Sequence, residues 1–142
     1  MISSRRLEDL RPEVAALARR FLMTARREGI DLIVTSTYRD AAAQDALYAQ
    51  GRTGRGPVVT NARGWSSWHQ YRVAFDVVPV IGGKLVWGDK KLWDRIGKLG
   101  EGVGLEWGGR WPTFTDRPHF QLTQGKTRKQ LRAEIEASSP TG

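Results

Sequence analysis

The order of patterns along this chain predicts an α+β fold, a small antiparallel sheet flanked by helices in a single domain. Three observations carry that expectation. Amphipathic helical stripes stand at both ends of the chain, the strands between them come as hairpin-type segments, and the regular strand-helix-strand alternation of a parallel sheet is missing. A length of 142 residues suits one domain with one modest core.

The elements follow in chain order. Ser4 is placed to cap a short turn over Arg5 to Leu10, and Pro12 suits the first turn of a helix running to about Glu28. Val14, Leu17, Ala18, Phe21, Leu22 and Ala25 form its apolar stripe, and Gly29 is a natural stop. Ile30 to Thr37 reads as a strand, and Asp40 as the cap of a second helix from Ala41 to Gln50. The stretch GRTGRGPVVTNARGW, Gly51 to Trp65, has four glycines, one proline and no period, so it is a long loop of the kind that is often functional. A strand from Val73, a turn at IGGK and a hairpin partner KLVWG come next. Asp89 caps a helix to about Leu99 whose end is loosened by Gly97, Gly100, Gly102 and Gly104. LEWGGRW and HFQL read as short strands, Thr127 to Ala137 as a final helix, and 138–142 as a frayed tail.

Composition narrows the class. With 39% hydrophobic and 27% charged residues, the chain looks like an ordinary soluble globular protein. No apolar run approaches the roughly 18 residues that span a bilayer, and MISSRRLEDLRPEV lacks a signal-peptide core. The expectation is therefore synthesis in the cytoplasm, no stable membrane insertion, and release by another factor if the protein acts outside. Cysteine is absent, so any metal must be held by His, Asp, Glu or water. A formal charge of +8 favours polyanionic partners, among them nucleic acid, anionic lipid and cell-wall polymer. The basic residues are spread out, which argues for a generally basic surface rather than a nucleic-acid arm.

The informative stretch is SSWHQYRVAFDVVPV, 66–80, where Asp76 interrupts an apolar, β-branched run. Alternation puts Ala74, Asp76 and Val78 on one face and Val73, Phe75 and Val77 on the other, taken as the core face. A buried carboxylate needs a cationic partner. The chain has two histidines, His69 and His119. An odd offset of seven separates His69 from Asp76, so their convergence requires a turn or bulge near Gln70 to Arg72. Given that turn, two imidazoles and one carboxylate make three ligands with an open fourth position, as in catalytic zinc sites. Pro118 stiffens TDRPHF and can hold Asp116 at a set distance from His119, where it would serve as general base and then general acid. His119 and Gln121 then share the site face. Taken singly, a strand Asp and a His before Phe are more often structural, Arg39 alone reads as a surface ion-pair partner, and most of the six tryptophans as core or cleft wall.

STYRDAAAQDALYAQGRTGRG, SSWHQYRVAFDVV and LEWGGRWPTFTDRPHFQL resemble, in order and spacing, the zinc peptidases of the D-alanyl-D-alanine carboxypeptidase superfamily, and more closely its L-alanyl-D-glutamate endopeptidase branch of phage endolysin type. The similarity runs from about Leu7 to Leu122. The family pattern S-x-H-x(6)-D falls on Ser67, His69 and Asp76, and D-x-P-H on Asp116 to His119. The resemblance implies one zinc per chain held by His69, Asp76 and His119, with Asp116 as catalytic acid/base. It implies substrate contacts from Tyr38, Arg39, Gln44 and Ser67, with Arg39 also steadying the oxyanion. Two departures stand out. Arg72 occupies a position where the family often has glycine, and Thr37 stands where S-G-Y-R is usual.

The resemblance implies a monomeric hydrolase of bacterial peptidoglycan that cuts the stem peptide between L-Ala and D-Glu in the periplasm or cell wall, without nucleic acid. Two rivals stay open. One is a D,D-carboxypeptidase or dipeptidase acting on D-Ala-D-Ala at the same metal site. The other is a non-catalytic basic wall-binding module, against which an adjacent free acid such as Asp116 speaks.

Overall fold

The computed structural model describes residues 1–138. Its elements follow the expected order and form a mixed α+β domain with a five-stranded sheet. Ser138, read as the start of a frayed tail, instead closes the last helix, and the rest of that tail, 139–142, lies outside the described residues.

Helix α1 (Pro12–Arg27) starts on its proline, whose missing N–H costs nothing at a helix N-terminus, and ends in Arg26 and Arg27, which suit the negative end of the helix. It buries Val14, Ala15, Ala18, Phe21 and Ala25, while Leu17 and Leu22 lie at the edge of the stripe. The turn before it is shorter than expected. Only Leu7–Asp9 is helical, and Ser4 caps nothing: its hydroxyl donates to Asp9 Oδ2 at 2.5 Å and accepts from the Arg6 amide.

Strand β1 (Asp31–Ser36) pairs antiparallel with β2 (Ala74–Ile81), and a register irregularity between Val34 and Ser36 sets Ser36 opposite Asp76. Helix α2 (Ala41–Ala49) follows β1, capped as expected by Asp40, whose carboxylate accepts from the Ala43 amide at 2.8 Å. Gly82 and Gly83 both take positive φ in the tight turn to β3 (Lys84–Leu85), the geometry that matches strand twist in two-residue hairpins. Helix α3 (Lys90–Gly102) is capped by Asp89. Strands β4 (Glu106–Trp107) and β5 (His119–Gln121) complete the sheet in the order β1-β2-β5-β4, and α4 (Arg128–Ser138) closes the described chain.

The glycines of α3 overturn one expectation. They do not loosen the helix, which continues to Gly102; they let it lie against the sheet. A Cβ on Gly97 would stand 2.4 Å from the Trp107 ring, and one on Gly100 would stand 2.4 Å from Phe120. The core on this side is aromatic, with Phe21 and Phe120 ring centroids 4.6 Å apart and Phe75 and Phe120 centroids 6.1 Å apart. Burying each such ring contributes about 1.5 to 3 kcal/mol. The alternation of β2 holds, but both faces are covered: Ala74 and Val78 are as fully buried as Phe75 and Val77. Asp76, on the face of Ala74 and Val78, is only partly buried and stands directly opposite His119 in the β2–β5 register.

Candidate metal centre and cleft

His69 reaches the sheet by a helical turn rather than a bulge. Residues Trp68–Tyr71 form a 3-10 turn, and Arg72 ends it in the left-handed conformation (φ 61°, ψ 26°), which swings the chain into β2. Ser67 caps the turn by accepting from the His69 amide, and the Gln70 side chain accepts from the Ser67 amide, a reciprocal capping box. His119 comes from β5 and Asp76 from β2, where the pairing register fixes their separation. His69 Nε2 stands 3.4 Å from Asp76 Oδ2, and His119 Nδ1 stands 3.4 Å from Asp76 Oδ1.

The outer atoms of both rings decide where the inner lone pairs point. His69 Nδ1 lies 2.7 Å from the Thr37 carbonyl oxygen, which can only accept, so Nδ1 carries the proton and the Nε2 lone pair faces Asp76. His119 Nε2 lies 2.7 Å from Gln121 Oε1. That amide is oriented in turn by its NH2, which donates to Glu106 Oε1 at 3.2 Å, so His119 presents the Nδ1 lone pair to Asp76. Asp76 Oδ1 is buried and accepts no hydrogen bond.

Two lone pairs and a carboxylate thus converge with no donor between them, an arrangement that only a cation or added protons would stabilise. The donor atoms of His69, Asp76 and His119 all lie within 4.8 Å of one another. Tetrahedral ligands bound about 2.0 to 2.2 Å from one zinc stand about 3.3 to 3.6 Å apart, so the 3.4 Å spacings to Asp76 fit the ion. Burial works against ionising Asp76, whereas imidazoles protonated on these inner nitrogens would hold its carboxyl well below the usual carboxylate range.

Asp116 stands beside the cluster, with Oδ2 3.9 Å from His119 Nδ1. Its loop is pinned at three points: the Asp116 amide donates to the Gly108 carbonyl, the Trp107 indole N–H donates to the Arg117 carbonyl, and the Val77 amide donates to the Pro118 carbonyl. A Cβ at Gly108 would come within 2.4 Å of the Asp116 carbonyl oxygen, so this approach needs glycine. Burial pushes the Asp116 carboxyl above the usual range, opposed by His119.

The family described as D-alanyl-D-alanine carboxypeptidase matches residues 60–122, which hold all four of these side chains. The peptidoglycan L-alanyl-D-glutamate endopeptidase CwlK of Bacillus subtilis (strain 168) is 36% identical over 123 residues, covering 80% of this chain and 74% of that protein. The chain belongs to this family of zinc peptidases. Two solved structures share its fold. The Serratia marcescens L-Ala D-Glu endopeptidase ChiX superposes with a TM-score of 0.63 at 24% identity, covering 86% of this chain and 89% of that one. The vancomycin-resistance D,D-pentapeptidase VanY, solved with Zn(II), superposes at 0.60 with 14% identity, covering 89% of this chain and 83% of that one.

In the peptidase His69, Asp76, His119 and Asp116 lie in a cleft of roughly 880 Å³ that Arg39, Gln44 and Ser67 also line. Arg39 donates to Gln44 Oε1 at 2.9 Å and to Ser36 Oγ at 3.1 Å. Burial draws its pKa down, while Asp76 and Asp116 push it back up. Gln44, 1% exposed, also donates to the Ala62 carbonyl and so ties the long loop to α2 as one wall of the cleft. Tyr38 is the one predicted substrate residue that the fold keeps out of the cleft lining. Its ring lies 3.8 Å beneath the guanidinium of Arg72, which also donates to the Asp9 carbonyl. The unusual Arg72 therefore braces the turn from outside the peptidase cleft.

Sequence reasoning passed over two side chains of this peptidase. Gln70 donates to the Arg39 carbonyl and to Gln44 Oε1, knitting the His69 turn to Arg39. Its signal was the spacing Ser67-x-x-Gln70 of a capping box. Glu106 orients Gln121 and also accepts from the Thr123 amide at 2.8 Å. Only the β4–β5 pairing brings it there, so nothing local announced it.

Proposed function

We propose that this chain is a zinc-dependent peptidoglycan hydrolase that cuts the L-Ala-D-Glu amide of the stem peptide. The observation that supports it most is the pair of inward-turned imidazole lone pairs on Asp76, with the free carboxyl of Asp116 alongside. The likeness to CwlK supports the choice of bond. His69, Asp76 and His119 would hold the metal. Zinc bound there supplies Lewis acidity toward a carbonyl and makes a nearby water acidic enough to attack at neutral pH.

Asp116 takes the proton of the attacking water and delivers it to the leaving D-Glu nitrogen, a task suited to a carboxyl whose pKa burial has raised. Arg39, held by Ser36 and Gln44, presents fixed positive charge to the developing oxyanion without reorganising. Gln44 and Ser67 keep the wall and the His69 turn in place, and so orient the stem peptide between them. On this reading the protein acts as a monomer in the periplasm or wall, without nucleic acid as partner and without stable membrane insertion. Among the described residues no helix is long and apolar enough to cross a membrane.

Mass spectrometry of purified peptidoglycan after incubation tests the reading. New D-Glu amino termini that vanish with chelator are expected. Loss of terminal D-Ala would move the chain to the carboxypeptidase activity, and no cleavage by zinc-loaded protein would overturn both.

A further inference from the structure

Two cations line the cleft among the described residues, Arg39 and Arg128. Arg39 is committed: it is half-buried and bonded to Ser36 and Gln44. Arg128 is different. It opens α4 and is exposed, and its guanidinium lies 5.3 Å from the ring centroid of Trp68, the residue before His69. No carboxylate of the described residues pairs with it, although its neighbours on α4 are paired, Arg132 with Glu136 and Glu134 with both Arg11 and Lys126. A cation–π contact with an indole face occupies none of a guanidinium's N–H donors with an acceptor oxygen. The cleft thus carries a planar donor set held against Trp68 and unpaired with any described carboxylate, on a helix beyond the segment that the family match covers.

The substrate chemistry names a partner. In a stem peptide the D-glutamate is acylated on nitrogen by L-Ala and joined onward through its γ-carboxyl, so its α-carboxylate remains free unless the wall has been amidated. We propose that Arg128 reads this α-carboxylate and makes the enzyme select D-glutamate over D-isoglutamine stem peptides. This rests on the cleavage reading above. Planar two-point pairing with a carboxylate is what guanidinium geometry favours, and a carboxamide, offering one acceptor and an N–H that faces the guanidinium donors, cannot reproduce it. Trp68 supplies the aim, and because Trp68 is fixed by the same 3-10 turn that carries His69, donor and metal site keep a constant relation.

The test uses the zinc-loaded full chain and two synthetic peptides, N-acetyl-L-alanyl-D-glutamyl and N-acetyl-L-alanyl-D-isoglutaminyl, each extended through the γ-carboxyl. Wild type is expected to prefer the acid by about tenfold or more in kcat/KM, the scale of one charge-assisted hydrogen-bonded pair. Arg128→Gln narrows that ratio toward one, Arg128→Lys keeps part of it, and Arg128→Glu inverts it. A thermal melt accompanies each variant, because a merely structural arginine would lower the melting temperature and slow both peptides equally. That equal slowing, or a wild type without preference, overturns the proposal while leaving the cleavage reading intact. Failure of wild type to cut either peptide sinks the cleavage reading and this proposal with it.

Discussion

Gln121 Oε1 accepts from His119 Nε2 at 2.7 Å and is itself held by Glu106, so a surface carboxylate sets the tautomer of a buried ring two residues along the same strand. Partners of this kind typically tune metal affinity by about 10- to 100-fold. Gln121→Met keeps the volume and removes the acceptor. Zinc affinity measured by chelator competition is expected to fall by that factor, with far-UV dichroism unchanged. An affinity equal to wild type would show that Gln121 does not govern the ring.

In the proposed mechanism Asp116 moves protons without holding metal. Asp116→Asn preserves shape and removes the base, so zinc content stays at one per chain while kcat falls about 100- to 10,000-fold. Activity within a few-fold of wild type, in protein of confirmed zinc content, would remove Asp116 from the mechanism.

Gly97 and Gly100 carry the aromatic side of the sheet against α3. Adding one methyl at either forces Trp107 or Phe120 to move, and overpacking of this kind costs about 1 to 3 kcal/mol. Gly102 in the same helix meets nothing within 4 Å, so Gly102→Ala is expected to be neutral or stabilising by up to about 1 kcal/mol. Urea denaturation of the three variants decides; equal stabilities would contradict the packing account.

Arg72 occupies a left-handed position that disfavours side chains by about 1 to 2 kcal/mol. It recovers part of that cost by stacking on Tyr38 and bonding the Asp9 carbonyl. Arg72→Ala keeps the strain and loses the compensation, whereas Arg72→Gly loses both. Alanine should therefore be the less stable by about 1 kcal/mol in the same urea assay, and the reverse order would refute the strain argument.

Much of the architecture was legible because local signals agreed with one another. Proline at the start of α1, aspartates before α2 and α3, and the double glycine of the hairpin each mark an element by its own chemistry. The cluster around Asp76 was legible for the opposite reason: a carboxylate in a β-branched run contradicts its surroundings and demands a partner. What escaped reading was set by tertiary approach. Gly97 and Gly100 look like helix breakers until Trp107 and Phe120 are seen against them. The bend expected between His69 and Asp76 was anticipated as a need, but its form, a 3-10 turn ended by a left-handed arginine, depends on Tyr38 lying beneath it. Gln44, Gln70 and Arg39 form one network across α2, the 3-10 turn and the loop before α2, and no spacing along the chain encodes that meeting.

The register that sets Asp76 opposite His119 has a consequence for handling the protein. With both residues as proposed ligands, the ion rivets the two central strands, and occupancy feeds directly into folding equilibrium by mass action, about 2.7 kcal/mol at one hundred times the dissociation constant. Amide protons in the middle of β2 and β5 would then exchange faster in a chelating buffer than in a zinc-buffered one. Melting temperature becomes a gauge of free zinc, and a preparation stripped of metal would be easier for proteases to open at the very strands that carry its chemistry.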